Sequence, residues 1–137
     1  MLSAIDLGSG NQKTYLPGVC NIGPAEIRRR RRSGHAAVVV SVALLAILLV
    51  IGAPAWTRLI LVVTAGGAAT AYLQARLHFC AGYGSRGIYN FGPLGTVERV
   101  LDPQALSRDR MRALQIGLVS LAVGLIVGGA AVLLPIS

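Results

Sequence analysis

The stretch that decides the fold is AAVVVSVALLAILLVIGA, residues 36–53, which carries no charge. An α-helix rises about 1.5 Å per residue, so a run of this length is enough to span a hydrocarbon core of about 30 Å. Two further apolar runs, residues 59–77 and 113–136, have similar lengths. The sequence therefore predicts three transmembrane helices.

Composition supports a lipid environment. Of the 137 residues, 54% are hydrophobic and only 13% are charged, which is too apolar for an ordinary soluble domain of this size. The polar residues are gathered in blocks between the apolar runs instead of being spread over every helix. We therefore expect an all-α membrane protein, built from a helical hairpin and a third transmembrane helix.

Turn and cap residues divide the chain into four parts. Residues 1–24 are rich in Gly, Asn, Ser and Pro and predict a mobile or loosely docked arm, without the pattern of a secretory signal. Residues 25–77 hold a basic helix start, introduced by Pro24 with Glu26 in its first turn, and the hairpin. Residues 78–102 are rich in glycine and aromatic residues and predict a loop. Residues 103–137 hold a polar helix start and the third span, with Asp102 and Pro103 as cap and first residue.

The distribution of Lys and Arg predicts the orientation. Six precede the first span and six lie between residues 76 and 112, whereas the short turn between the first two spans holds Arg58 alone. By the positive-inside rule the N-terminus is cytoplasmic and the C-terminus lies on the opposite side. Trp56 and Arg58 are then expected at the far membrane interface, with the cation reaching out to water.

The formal charge of +8 does not indicate a nucleic-acid partner, because the basic residues flank apolar runs without interleaved aromatic residues. The densest run anchors the topology and suits anionic lipid headgroups at the bilayer surface. Its members are Arg28, Arg29, Arg30, Arg31 and Arg32.

Small residues recur in the second and third spans at the spacing that lets helices approach closely. They are Gly66, Gly67 and Ala71 in the second span, where Thr70 also pairs with Gly66, and Ser120, Gly124 and Gly128 in the third. Two interpretations remain open. These faces pack within one three-helix unit, or they join the chain to another copy or another membrane subunit.

Two cysteines and two histidines fall on the predicted cytoplasmic side: Cys20, His35, His78 and Cys80. Two thiolates and two imidazoles match tetrahedral zinc, although the His-x-Cys spacing at residues 78 and 80 is shorter than usual. The alternatives are interfacial histidines with reduced, inert thiols, or a reactive thiol beside arginines. No cofactor other than zinc is suggested.

Two short motifs flank the hairpin: CNIGPAEIRR at residues 20–29, and FCAGY at residues 79–83 followed by Gly87-Ile88. Over residues 20–92 they resemble small bacterial inner-membrane proteins of the YgaP-like transmembrane domain family. The resemblance implies a bacterial inner membrane, a link to sulfur transfer and Cys80 as the thiol involved. Ala81 replaces a proline of the family pattern, and the third span is additional. The resemblance also implies structural roles for Asn21, Gly23, Glu26, Tyr83 and Gly87.

The function expected from these features is that of a non-catalytic accessory or scaffold subunit. No nucleophile with its base, paired carboxylates or phosphate-cradling loop is present in the sequence, so an enzyme is not predicted. The expected partners are anionic lipid and other membrane subunits or a second copy. A thiol or metal site is the alternative function. An oligomeric small-anion channel is a weaker one, because the spans lack ionisable residues at mid-membrane.

Overall fold

The computed structural model describes residues 15–135. Three helical segments are long and apolar enough to cross a membrane: Pro24–Val50, Ala55–Leu77 and Pro103–Leu133. This confirms the prediction of three spanning helices. The elements in chain order are α1 (Pro24–Val50), a 3-10 helix (Ala55–Leu59), α2 (Ile60–Leu77), α3 (Ala81–Arg86), β1 (Ile88–Tyr89), β2 (Glu98–Arg99) and α4 (Pro103–Leu133).

Both predicted helix starts are present. Pro24 is at the start of α1, where its missing N–H removes no intrahelical hydrogen bond, and Glu26 lies in the first turn. The Asp102 carboxylate caps α4 by accepting a hydrogen bond from the Gln104 N–H at 3.2 Å. These caps fix where the polar chain enters each long helix.

The first hairpin turns sharply after α1. Gly52 adopts a left-handed conformation with φ of 69°. Its N–H donates to the Leu49 carbonyl at 3.2 Å, and the Ala53 N–H donates to the Leu48 carbonyl at 3.0 Å, as in a Schellman motif. Helix α2 then returns antiparallel to α1. It is the central helix, because it packs against α1 on one side and α4 on the other.

Small residues bring α2 and α4 together. Gly124 faces Gly66, and a Cβ at Gly124 would meet the Val62 carbonyl oxygen and the Gly66 backbone. A Cβ at Gly128 would meet Val62, and Ser120 is buried in the same stripe. Four of the predicted packing residues (Gly66, Ser120, Gly124 and Gly128) therefore serve contacts within the chain.

The remaining two predicted packing residues, Ala71 and Gly67, differ from each other in burial. Ala71 is buried. Gly67 is exposed, and a Cβ placed there would meet no atom within 4 Å. The small-residue run of α2 therefore has one face that is used by α4 and another face, marked by Gly67, that lies open.

The prediction that Arg58 reaches out to water is wrong. Its side chain is only 1% exposed. The Nη1 atom donates to the carbonyl oxygens of Ala131 at 3.1 Å and Leu134 at 3.3 Å. The last carbonyls of a helix lack regular intrahelical partners and carry the negative end of the helix dipole; here the Ala131 carbonyl also accepts the Leu134 N–H at 3.3 Å. Arg58 satisfies them from the neighbouring helix, so it ties the far end of α4 to the hairpin turn.

The prediction that residues 78–102 form a loop is also wrong, although the described residues are mostly helical, as the predicted fold class requires. The segment contains α3 and an antiparallel pair of short strands in which Ile88 pairs with Arg99 and Tyr89 with Glu98. Glycines allow compact packing here. Gly87 adopts φ of 73° and its carbonyl accepts a hydrogen bond from the Val100 N–H at 2.7 Å. The glycine-rich composition therefore reflects tight turns.

The predicted loose arm is docked over its described part, residues 15–24, whereas residues 1–14 lie outside the described residues. The Ile22 side chain is fully buried, and Ile22 forms a parallel bridge with Asn90. The rest of the chain supplies the surface on which this part of the arm docks. We refer to the folded polar end, residues 15–35 and 78–112, as the headpiece.

We predict that Gly124→Leu destabilises the α2–α4 contact, because the new side chain must displace the Val62 and Gly66 backbone. Overpacking of this kind costs up to about 3 kcal/mol. Gly117→Leu is the matched control on the same helix, since a Cβ at Gly117 meets no atom within 4 Å. Reversible unfolding in mixed micelles should separate the two variants, and equal stabilities would contradict the packing described here.

Candidate functional site

The headpiece is organised around a buried carboxylate. Glu26 is 0% exposed and lies in the first turn of α1. Its oxygens accept hydrogen bonds from the Tyr83 hydroxyl at 2.6 Å, the Arg30 Nη1 at 2.7 Å and the Asn90 Nδ2 at 3.2 Å. A buried carboxylate is stable only when donors replace its lost hydration. Here α1, α3 and the segment after β1 each supply one hydrogen-bond donor.

Arg30 connects this carboxylate to a cysteine. While one guanidinium nitrogen binds Glu26, Nη2 donates to the Cys80 Sγ at 2.8 Å. The guanidinium carbon also lies 5.7 Å from the centre of the Tyr83 ring, within the range of a cation–π contact. Arg30 is therefore held on three sides, and its side chain is only 14% exposed.

Asn21 completes the cluster from the arm. Its Oδ1 accepts from the Cys80 N–H at 2.7 Å and its Nδ2 donates to the Cys80 carbonyl at 3.2 Å. Its own carbonyl accepts from the Asn90 N–H at 3.0 Å. Next to it, Gly23 approaches the Phe91 backbone so closely that a Cβ would lie 2.8 Å from the Phe91 oxygen. We call Asn21, Glu26, Arg30, Cys80, Tyr83 and Asn90 the Glu26 cluster.

Burial and the hydrogen bond to Glu26 raise the pKa of Tyr83 above its usual value. Desolvation disfavours the phenolate, and a phenolate facing the Glu26 carboxylate would be repelled. The Arg30 charge acts in the opposite direction but does not outweigh these two effects. Tyr83 therefore stays a hydroxyl donor to Glu26 under ordinary conditions.

A second buried carboxylate docks the arm onto α4. Asp109 is 0% exposed and accepts from the Tyr15 hydroxyl at 2.6 Å and the Gly18 N–H at 2.7 Å. The Arg112 Nε donates to the Gly18 carbonyl at 2.9 Å. Burial, together with the hydrogen bond to Asp109 and its charge, raises the pKa of Tyr15 far above its usual range. The arm is thus fixed to α4 as well as to Cys80 and Asn90.

The structure does not bring the four predicted metal ligands together. Among residues 15–135, no three His, Cys, Asp or Glu side chains are placed to hold one metal ion. The His35 Nδ1 lies 2.6 Å from the Tyr72 hydroxyl, on the hairpin. His78 is the left-handed C-cap of α2, and Cys20 is buried in the arm. Cys80 alone lies in the Glu26 cluster.

The five arginines of the basic run divide into two groups. Arg30 turns inward to Glu26 and Cys80, so its predicted role at a lipid headgroup does not fit its position. The other four are exposed on the start of α1: Arg28, Arg29, Arg31 and Arg32.

Comparisons of the chain with protein-family models, with curated proteins and with solved structures found no match. The resemblance to the YgaP-like family therefore stays a prediction. Four of the five residues to which it assigns structural roles lie close together in the structure, whereas Gly87 is the C-cap of α3 and binds Val100. Asn21, Glu26 and Tyr83 belong to one cluster, Gly23 adjoins it, and Cys80 is at its centre.

Sequence reasoning missed Asn90 and Asp109, and it also missed the ion pair between Glu26 and Arg30. An acidic residue one turn before an arginine, as Glu26 is before Arg30, is a detectable signal of a helical ion pair. Asn90 carries no such signal, because its contacts depend on the turn after β1. Asp109, surrounded by arginines in sequence, resembles a solvated helix residue, whereas its real partners lie more than ninety positions away.

We predict that Glu26→Gln loosens the headpiece, because the Arg30 guanidinium loses its buried counter-charge. Breaking a buried ion pair by removing one partner costs about 3 kcal/mol. In a Cys20→Ser background, the rate at which a maleimide labels Cys80 should rise more than tenfold. Glu98→Gln is the control, since Glu98 is exposed on β2. Unchanged labelling in Glu26→Gln would show that the cluster does not hold the headpiece closed.

We also predict an alkaline loss of stability that depends on Tyr83. In the unfolded chain the tyrosine ionises near pH 10, whereas the folded chain keeps the proton to higher pH. Its contribution to the free energy of unfolding is therefore complete below about pH 10 and decreases as the pH rises further. Between about pH 9 and 11, the free energy of unfolding should decrease more steeply with rising pH for the wild type than for Tyr83→Phe. Parallel curves would contradict this assignment.

Proposed function

We propose that the chain is a non-catalytic integral membrane subunit of a bacterial inner membrane, an accessory or scaffold protein. It is embedded by three helices and presents a folded basic headpiece at the membrane surface. Its partners are anionic lipid and another membrane-protein subunit. Several features of the described residues support this proposal.

The observation that carries the proposal is the pairing of the acidic side chains, two of which are buried, with groups of the same chain. Each acidic residue between positions 15 and 135 is engaged by the chain: Glu26 by Arg30, Glu98 by Tyr89, Asp102 by Gln104 and Asp109 by Tyr15. The surface that is left is apolar along the helices and basic at the headpiece. A surface of this kind suits binding in and at a membrane more than bond-making chemistry.

The proposed orientation places the headpiece in the cytoplasm. The N-terminus of α1, the C-terminus of α2 and the N-terminus of α4 share the headpiece end, which carries most of the arginines. The opposite end carries Arg58, which is buried against α4. The positive-inside rule supports a cytoplasmic N-terminus and a C-terminus on the other side.

The proposed contact with another subunit lies on the open side of the hairpin. In α1 only Glu26 and Gly34 are buried, so the membrane part of this helix contacts its own chain along a narrow strip. Beside it, Gly67 of α2 offers space where a foreign helix would approach the backbone closely. This is the face that α4 leaves uncovered.

A thiol function at Cys80 is the second candidate. Reactive cysteines lie in electropositive and partly exposed surroundings. The Arg30 hydrogen bond to Cys80 provides the first property. The second is missing in this conformation, because Cys80 is only 5% exposed. The subunit proposal is therefore ranked first.

The test of the proposal is cross-linking in the native membrane followed by affinity capture. Gly67→Leu fills the open face without touching the fold, so we expect it to reduce the captured subunit at least tenfold. Gly117→Leu fills open space on α4 instead and should leave capture unchanged. Equal capture by the wild type and both variants, with all three equally stable, would overturn the proposed docking face. If a second copy of the chain is the only protein captured, the partner at this face is the chain itself, and the proposal of a different subunit is wrong.

A further inference from the structure

We infer that three arginines at the start of α1 form a binding site for the phosphate headgroup of an anionic phospholipid. The inference rests on the membrane placement in the proposed function and gives the basic surface a specific class of ligand. The site is a cleft of about 410 Å³ between α1 and the β1–β2 connection. It is lined by Ala25, Arg28, Arg29, Arg32, Ser33 and Leu94.

The geometry of the helix selects these three arginines from the run of five. Arg28 and Arg32 are four residues apart and so lie on one face of α1, with Arg29 beside them. Arg30 points to the Glu26 cluster. Arg31 is exposed on the same turn but does not line the cleft. Guanidinium groups that converge in this way bind phosphate oxygens through paired N–H donors.

No carboxylate of the described residues neutralises the cleft. Within residues 15–135, neither Arg28 nor Arg32 has an acidic group within 4.0 Å. The Arg29 Nη1 lies 4.0 Å from the Glu26 Oε1, but Arg30 already binds that oxygen at 2.7 Å. The positive charge of the cleft is therefore available to an anion from outside the chain.

The membrane-proximal end of the cleft lies at the depth of lipid headgroups. The uncharged run begins at Ala36, so along the helix axis Ser33 and Arg32 are about 4 to 6 Å from it and Arg28 about 12 Å. A headgroup layer is about 5 to 8 Å thick on each side of the hydrocarbon core. Arg32 therefore lies within this layer, whereas Arg28 lies about 4 to 7 Å beyond its outer edge, on the aqueous side.

One wall of the cleft is held in place by the Glu26 cluster. Asn90 donates to Glu26 and to the Pro93 carbonyl, and its Oδ1 accepts from the Gly92 N–H at 2.9 Å and the Thr96 hydroxyl at 3.0 Å. These bonds shape the turn that carries Leu94 to the arginines. The cleft therefore has a wall that is held by hydrogen bonds, in addition to the row of arginines on α1.

The test is a titration of the delipidated, full-length protein in detergent with phosphatidylglycerol, read by native mass spectrometry. We expect one tightly held phosphatidylglycerol per chain and weaker retention of phosphatidylcholine. The double variant Arg28→Gln/Arg32→Gln should bind phosphatidylglycerol about 30-fold more weakly, since each arginine that hydrogen-bonds the phosphate contributes about fivefold. All the substituted arginines are exposed, so the fold is preserved.

The charge-matched control is Arg31→Gln/Arg110→Gln, which removes two exposed arginines outside the cleft and should change the affinity less than about threefold. If both double variants lose the same phosphatidylglycerol affinity, the lipid is attracted by the overall positive charge, and the proposed site is wrong. Equal retention of phosphatidylcholine, or displacement of phosphatidylglycerol by millimolar inorganic phosphate, would overturn the lipid assignment. Capture of a subunit through Gly67 is measured separately, so failure of either proposal leaves the other standing.

Discussion

A carboxylate that is removed from water must be bound by donors from its own protein, and in this chain that constraint falls on Glu26. The donors come from three places: Arg30 one turn along α1, Tyr83 in α3 and Asn90 after β1. Because Arg30 also binds Cys80 and Asn21 binds the Cys80 backbone, the arm, α1 and α3 are joined through one cluster. The rest of the headpiece depends on this arrangement, including the turn that carries Leu94.

The membrane part depends on a different interaction, which is backbone contact. Apolar side chains gain nothing by leaving lipid for another apolar surface, so close packing of small residues has to hold the helices together. Gly124 and Gly128 bring α4 against Val62 and Gly66 of α2. Arg58 secures the other end by donating to the last carbonyls of α4. The headpiece is therefore mounted on a fixed pair of helices, with α1 as the more exposed third.

The three spans were predictable because hydrophobic length and cap residues act locally, as Pro24, Asp102 and the run at residues 36–53 illustrate. Arg58 was mispredicted, since the carbonyls that bind it belong to a helix more than seventy residues later. The folded segment at residues 78–102 was missed for a similar reason, because Asn90 within it binds Glu26 and Asn21, which are distant in sequence. Of the candidate site, the motif residues near Glu26 and Cys80 were identified, but the division of the arginines required the structure.

The most direct measurement of the central claim is amide hydrogen exchange of the protein in lipid bilayers. If the Glu26 cluster orders the headpiece, the amides of Gly23, Cys80 and Asn90, each hydrogen-bonded to another part of the chain, exchange slowly, at rates comparable to amides of α2. Exchange of these three amides at the rate of an unstructured chain, beside protected amides in α2 and α4, would contradict the account.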